Sequence, residues 1–405
     1  MRKIVVVGAG ITGVTTAYAL AKKGFCVTLL ERHRYPAMET SFANGGQLSA
    51  SNSEVWNSWS TISKGIKWAF KNNAPLLVHP HPTWHKISWI KDFISEIGNY
   101  EKNTIATVKM AIAARELLFS WAEEGNIDFD LKKMGILHIY KNKNDFQDAE
   151  YITALLLRGG LKRCPVSPSE IKNIEPTLAG NYYGGFYTKS DSTGDIHKFT
   201  CGLEQAAVKF GVNTIYEADI YGITSNGKQA LIKFTVNGDK RELNCDDVVI
   251  CAGVKSRELA SQLGDAVNIY PVKGYSITVN LNDEISQLAA PNISLLDDDA
   301  KIVTSRLGLD RFRVAGTAEF NGFNKDIRAD RIQPLIEWTN AHFPQVSTKD
   351  VVPWAGLRPM MPNMLPVVGR GRKENIFYNT GHGHLGWTLS AVTAEMAASI
   401  LSNKQ

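Results

Sequence analysis

The chain has 405 residues, more than a single hydrophobic core ordinarily spans, so two domains are expected. Its 44% hydrophobic and 21% charged residues describe a globular enzyme and exclude a disordered or fibrous chain. A net charge of +5 with dispersed Lys and Arg argues against nucleic acid as a partner, and no apolar run nears the roughly 18 residues of a membrane span.

The first predicted strand, Ile4-Val5-Val6-Val7, runs into Gly8-Ala9-Gly10-Ile11-Thr12-Gly13, then a helix over 13–23. A second strand, Val27-Thr28-Leu29-Leu30, ends on Glu31. Strand, glycine turn, helix, strand and terminal acid make the layout of an adenine-dinucleotide site. Gly8 lets the chain turn sharply, and Gly10 lets a pyrophosphate approach the backbone and the positive helix end. Gly13 lets the helix pack close to the sheet. Glu31 is placed to accept the ribose hydroxyls and to repel a 2′-phosphate, which favours FAD or NAD over NADP. Val14, Ala17, Tyr18 and Ala21 form the helix's apolar stripe, and Gly24 suits its C-terminal cap. The apolar run before Gly8 is only about four residues, shorter than a secretory h-region, so the cytoplasm is the expected compartment. Five scattered cysteines, Cys26, Cys164, Cys201, Cys245 and Cys251, contain no C-x-x-C pair. They suit a reducing compartment and point away from a disulfide framework or a zinc site; no metal is expected.

Residues 40–51 are small, polar and glycine-containing, which reads either as a surface loop or, from its place just after a dinucleotide half-site, as a cofactor contact. Segment 56–97 holds Trp56, Trp59, Trp68, Trp84 and Trp89 mixed with Lys64, Lys67, Lys71, Lys86 and Lys91. Trp59, Ile62, Ile66, Ala69 and Phe70 share one helical face. Such a basic amphipathic helix can lie on an anionic membrane, but packing against its own protein is the favoured reading. A long helix is expected over 104–124, a strand over 135–140, and helices over 145–157 and 195–210. A strand over 214–216 leads into a polar meander through Gly238. The run 248–253 reads as a buried parallel strand ending in small residues. Residues 267–320 alternate like antiparallel strands, including 275–279 and 311–315. A strand at 376–378 precedes a glycine turn, and a last helix is expected over 391–401.

Together these motifs resemble the flavin-dependent amine oxidoreductases of the D-amino acid oxidase superfamily, and within it the bacterial D-amino acid dehydrogenase branch. Four blocks carry the resemblance: the N-terminal fingerprint; Glu39-Thr40-Ser41-Phe42-Ala43-Asn44-Gly45-Gly46-Gln47-Leu48-Ser49; Trp354-Ala355-Gly356-Leu357-Arg358-Pro359 with Pro366-Val367-Val368-Gly369-Arg370; and Asn379-Thr380-Gly381-His382-Gly383-His384-Leu385-Gly386-Trp387-Thr388. Tyr270-Pro271-Val272-Lys273-Gly274-Tyr275-Ser276 and Gly322-Phe323-Asn324 add to it. After Ser49 the branch's proline-glycine is replaced by Ala50-Ser51-Asn52-Ser53, a departure that bears on side-chain preference more than on the reaction.

The resemblance implies an α/β and α+β architecture. A Rossmann-like FAD-binding domain would comprise 1–60, 167–262 and 335–405. A substrate-binding domain of 61–166 and 263–334 would be built on a mainly antiparallel sheet with helices. FAD contacts are implied at Gly8, Ala9, Gly10, Ile11, Thr12, Gly13, Glu31 and Arg32, and in the loop at Thr40, Ser41, Asn44, Gly45, Gly46, Gln47 and Leu48. Further contacts are implied at Ile220, Ala252 and Gly253, and at Gly383, His384, Leu385, Gly386, Trp387 and Thr388. There the turn and helix N-terminus would stabilise negative charge at the pyrimidine end of the flavin. Arg358 is the implied carboxylate anchor, since a guanidinium grips a carboxylate with two parallel bonds. Tyr275 and Arg306 are lesser candidates for substrate contact, each equally readable as packing or surface. His384 is either a site residue or a core histidine.

The implied activity is oxidative deamination of a D-amino acid by hydride transfer from Cα to FAD, giving a 2-oxo acid and ammonia. A neutral amine can assist hydride departure, so no acid–base dyad is required. Electrons would pass to a quinone or another acceptor; peripheral contact at the inner face of the cell membrane is left open by the sequence. Two alternatives are an oxidase making hydrogen peroxide from glycine, sarcosine or another small amine, and a non-catalytic dinucleotide-binding interaction protein. Oligomeric state is not legible.

Overall fold

The computed structural model describes residues 1–68 and 75–403. The sequence expectations at Ala69, Phe70 and Lys71 lie outside these residues.

Strand β1 (Lys3–Val7) is buried along four of its five residues and leads through Gly8 into helix α1 (Ile11–Lys22) and strand β2 (Cys26–Leu30). The helix begins at Ile11, two residues before the sequence expectation, because Gly10 is its extended N-cap. Gly13 therefore sits in the first turn, where a Cβ would lie 1.7 Å from the Gly8 carbonyl oxygen. This is the close helix–strand approach that the spacing anticipated. β1 pairs in parallel with β2 on one side and with the Asp247–Ile250 strand on the other. The sheet has six strands, with Asn213–Ile215 beyond β2, and Ile376–Thr380 and Val367–Arg370 beyond Asp247–Ile250.

Both faces of this sheet are covered. One carries α1 and the helices Tyr100–Gly125, Ile196–Lys209 and Gly386–Ser402, whose Tyr18, Leu118, Trp121, Phe199 and Trp387 interlock in one core. The other carries an antiparallel meander, Asp219–Ser225, Ala230–Val236 and Asp239–Cys245, which buries Ile232 and Phe234 against Val5, Val248 and Ile250. The meander alternates buried and partly exposed positions along Ala230–Val236, as a strand with one solvated face does.

The second sheet has nine strands, mostly antiparallel. Near one edge, β3 (Tyr270–Asn280) is paired with β4 (Arg311–Phe320) on one side and with the edge strand β5 (Val351–Met360) on the other. Gly184–Thr188 and β5 belong to this sheet although they fall inside the segments 167–262 and 335–405 assigned from sequence to the cofactor domain. Strand pairing, which local periodicity does not encode, sets their place. Ile136–Tyr140 is buried at all five positions because it lies inside this sheet, between Ser294–Asp297 and Gly184–Thr188.

The last helix, α2, spans Gly386–Ser402 and starts five residues before the sequence expectation. Trp387, Thr388 and Leu389 are all buried, so its first turn has no polar face to mark the onset. Among the described residues no helix is long and apolar enough to cross a membrane.

Gly13→Ala places a methyl group against the Gly8 carbonyl and should cost about 3 kcal/mol or more, the upper range for overpacking. Urea unfolding that matches the parent protein would remove this tight approach as a constraint on the fold.

Candidate active site

β1 and Ile376–Thr380 both run parallel to Asp247–Ile250, so their C-terminal ends reach the same edge of the sheet. Each hands the chain to a helix there. At α1 and α2 the N-cap residue makes no side-chain cap bond and the first turn holds no acid, although the Ser41 hydroxyl takes the Ile11 N–H of α1. Helix N-termini left this way offer N–H groups and a partial positive charge to a ligand.

Both open on one continuous cavity of about 1630 Å³. At Gly10 a Cβ would have only the Ser41 hydroxyl within 4 Å, so the backbone is open to close approach. Gly8 holds φ +98° where the chain turns beneath Cys251 and Ala252, a conformation glycine adopts without strain. Glu31 accepts from the Ala9 N–H at 2.7 Å and the His33 N–H at 2.9 Å. A carboxylate has about four acceptor positions, so it retains capacity for two hydroxyls. Arg32 lines the same end and is ion-paired with Glu39.

The 40–49 loop is pinned across the second sheet. The Ser276 hydroxyl donates to Ala43 O at 2.8 Å, Ser305 to Gly45 O at 2.7 Å, and Arg313 to Asn44 O at 3.1 Å. The Thr40 hydroxyl donates to Leu357 O at 2.8 Å, and Ser41 Oγ accepts from Ile11 N–H at 3.0 Å. Ile11, Thr12, Gly45, Gly46 and Gln47 line the cavity, as do Ile220, Ala252 and Gly253 and all six residues of 383–388. Three expected contacts do not: Ala9 serves Glu31, Gly13 packs the helix, and Leu48 lies in the core.

After Ser49, the N–H groups of Ala50 and Ser51 both donate to buried Asp191, at 3.1 and 3.0 Å. A proline at either position would lack that donor, which gives the departure noted in the sequence a structural role.

Arg358 lies on β5 opposite Val272, so it leans across Gly274 on β3. A Cβ at Gly274 would come within 2.4 Å of the guanidinium. Opposite Gly274 is Gly356, whose Cβ would collide with the Trp354 ring at 2.1 Å. Two facing glycines thus form a floor for one cation and one indole. The guanidinium donates to Thr317 O at 3.0 Å. That carbonyl is turned by a β-bulge: Thr317 and Ala318 together oppose Gly274, and Thr317 has φ +58°. A β-branched residue there stores about 1–3 kcal/mol of strain, and bulges of this kind re-aim groups beside active sites. Among the described residues no carboxylate lies within ion-pair distance of Arg358. Burial pulls its pKa down to about 10, so it remains a cation at neutral pH.

His384 stacks on Trp56, with centroids 4.8 Å apart, and its Nε2 lies 3.3 Å from Asn52 O. Burial, helped by the Arg358 charge, lowers its pKa to about 4. His382 is fully enclosed, bonds Thr393 at 2.9 Å, and is lowered by burial to about 3.

The other two expected substrate contacts are corrected by the geometry. Tyr275 borders the cavity, but it is three residues beyond Val272 on β3 and so points to the opposite sheet face from Arg358. Its hydroxyl bonds Glu319 at 2.6 Å, within a buried group containing Lys273. Arg306 spends its guanidinium on the carbonyls of Gln287, Ala290 and Leu309 and does not line the cavity. It closes a loop. Sequence reasoning marked Asn52 through the 50–53 departure but missed Thr317, Glu54, Trp56 and Ser58, which also line the cavity. The buried residues between them, Ser53, Val55 and Asn57, are mostly polar, so no hydrophobic alternation signals this wall.

The open Gly10, the two helix ends without a bond from the N-cap side chain, Glu31 and the buried, unpartnered Trp387 Nε1 fit a dinucleotide with a planar ring system at its second end. The comparisons agree. The profile of the DAO family, FAD dependent oxidoreductase, matches residues 3–400, and the chain belongs to that family. It is 58% identical over 402 residues to D-amino acid dehydrogenase 3 of Mesorhizobium japonicum, covering 99% of this chain and 97% of that one. D-amino acid dehydrogenase of Dechloromonas aromatica is 37% identical over 412 residues, covering 100% and 97%. Glycine oxidase from Geobacillus kaustophilus superimposes with a TM-score of 0.77 at 18% identity, covering 100% and 96%. L-proline dehydrogenase from P. horikoshii gives 0.76 at 16%, covering 100% and 94%. The protein is an FAD-dependent oxidoreductase.

Gly274→Ala should push the guanidinium off its floor and weaken a carboxylate ligand about 10- to 100-fold, the worth of a charge-assisted hydrogen bond. Titrating the flavin spectrum with benzoate measures this; unchanged affinity would detach Gly274 from the anchor. A second expectation concerns pH. An unfolded histidine takes a proton below about pH 6.5, whereas His382 resists protonation down to about 3. Its stabilising contribution is therefore complete above 6.5 and lost as pH falls toward 3. His382→Asn should shrink the drop in urea midpoint between pH 7 and pH 4.5; an identical drop would refute the assignment.

Proposed function

We propose that this enzyme oxidises the Cα–N bond of D-amino acids, and that Arg358 is the observation that carries the reading. An enclosed cation without a protein carboxylate is costly unless a ligand supplies one. A planar guanidinium seated on a flat floor suits the α-carboxylate of an amino acid. The D configuration follows the names of the full-length relatives.

FAD, when bound, supplies the acceptor for the hydride leaving Cα. The chain's own residues do the rest. Arg358 holds the carboxylate and fixes the orientation of Cα. The enclosure that depresses His384 also favours the neutral form of the substrate amine, and the nearby guanidinium acts in the same sense. His384 itself stays neutral, adding no second positive charge beside Arg358. The imine then hydrolyses to the 2-oxo acid and ammonia.

We infer a quinone or another electron-transfer acceptor, reached on the cytoplasmic side with peripheral membrane contact. One arm of the cavity passes Ile62, Leu76, Val78, Ile90 and Ile94. Ile90 and Ile94 belong to the helix Trp84–Ser95, whose Trp84 is 83% and Ile87 48% exposed. Trp59 nearby is also exposed. An apolar arm lined by a helix with exposed apolar side chains suits a lipophilic acceptor.

Anaerobic mixing tests the reaction: D-alanine should bleach the flavin about 100-fold faster than L-alanine, a discrimination typical of a well-contacted site. Bleaching by L-alanine, or only by glycine or sarcosine, would overturn it. Re-oxidation by a soluble quinone analogue should outpace oxygen, and the protein should co-sediment with anionic lipid vesicles. Equal rates, or protein left in the supernatant, would refute the acceptor and membrane parts respectively.

A further inference from the structure

In the segment 52–58, which leaves a short 3-10 turn at Ala50–Asn52, residues 53, 55 and 57 are buried and 52, 54, 56 and 58 line the cavity that also holds Arg358. Its two contacts with His384, through the Asn52 carbonyl and the Trp56 ring, flank Glu54. Glu54 is enclosed by protein yet opens on the cavity. Among the described residues its single hydrogen bond comes from the Tyr100 hydroxyl, at 2.6 Å, and no cation lies within ion-pair distance. Burial raises the Glu54 pKa and nearby Asp298 adds to the rise, while the Tyr100 hydrogen bond and the charges of Lys301 and Arg163 oppose it.

The wall beyond Glu54 is biased in sign. Among the described residues that line this part of the cavity, the charged ones are Glu54, Asp145, Asp148, Asp298 and Asp299, with Lys301 of opposite sign. Lys301 is already committed to Asp298 at 2.7 Å. Arg163, behind the wall, lies over the Phe186 ring and reaches the Tyr140 hydroxyl. A narrow, low-dielectric cleft lined by one sign of charge concentrates the opposite sign.

Acidic side chains alone would not make a site. Two separate features mark this volume as ligand space: the Arg358 guanidinium, without a carboxylate partner, and His384 Nδ1, buried with no partner. Arg358 and Glu54 line the same cavity, and the His384–Trp56 pair stands beside Glu54 on its wall. A side chain carried by a ligand anchored at Arg358 therefore shares an enclosed space with Glu54.

We propose that the Glu54 arm recognises a cationic substrate side chain, so that basic D-amino acids of the lysine and arginine type are preferred to apolar ones of equal length. This rests on the D-amino acid reading above. Glu54 receives the ammonium or guanidinium, Tyr100 holds the carboxylate in place, and Asp298 extends the negative wall. Trp56 covers the methylene stem.

The test uses the flavin-loaded protein and two matched pairs. D-lysine should be oxidised with kcat/KM about 10-fold or more above D-norleucine, the scale of a buried charge contact. 6-Aminohexanoate, which has lysine's length and no α-amine to oxidise, should perturb the flavin spectrum with a Kd about 10-fold below that of hexanoate. In Glu54→Gln both ratios should fall toward one, with flavin content and melting temperature as the check on folding. D-norleucine or hexanoate equal to or better than its cationic partner would overturn the inference, as would ratios unchanged in Glu54→Gln. Failure of every D-amino acid, D-alanine included, to bleach the flavin would instead overturn the reading on which it rests. The hexanoate pair is measured on the parent protein, so the inference stays falsifiable if Glu54→Gln does not fold.

Discussion

An enclosed guanidinium with no carboxylate partner among the described residues is the constraint around which this site is built. Arg358 can lie flat only because Gly274 has no side chain, and it can be held there only because the bulge at Thr317 turns a carbonyl toward it. The bulge carries backbone strain in Thr317, and the floor needs a second glycine to seat Trp354. Each feature is unfavourable in isolation. Together they hold a positive charge in a half-enclosed cavity, where a ligand carboxylate is worth more than it would be in water.

The cofactor end obeys the same logic with backbone groups. Helices usually place a capping side chain and an acid at their N-termini. At α1 and α2 the N-cap residue and the first turn supply neither, and both ends open on the same cavity. The strands that deliver them are separated by some 370 residues of chain, yet both run parallel to Asp247–Ile250. The 40–49 loop ties this edge to the second sheet through bonds from Ser276, Ser305 and Arg313. Cofactor edge and carboxylate floor are thereby held in one frame, which orientation of a substrate Cα demands.

Much of this was legible beforehand where a short segment carries its own geometry. The glycine fingerprint, Glu31, the 383–388 turn and Arg358 are local signatures, and the cavity brings them together. Tyr275 and Arg306 were misplaced because being in the right sheet does not decide which face a side chain takes. One residue of register sends Tyr275 to Glu319 and leaves Arg358 on the other side. Arg306 was claimed by three carbonyls of a loop that no periodicity reveals. Glu54 looked like an ordinary polar residue within a tryptophan-rich segment. Only the fold shows that it lies in the same cavity as the anchor.

The amino-acid sequence by itself determined a dinucleotide fingerprint and, through its family motifs, marked Arg358 as a candidate anchor, because glycine spacing, a terminal acid and a guanidinium express their chemistry through immediate neighbours. The tertiary structure decided which side chains face the substrate, how the chain divides between the two sheets, and what charge lines the far wall of the cavity. Those depend on strand register and on a bulge, and both arise from pairing between residues distant in the chain, which no local pattern records.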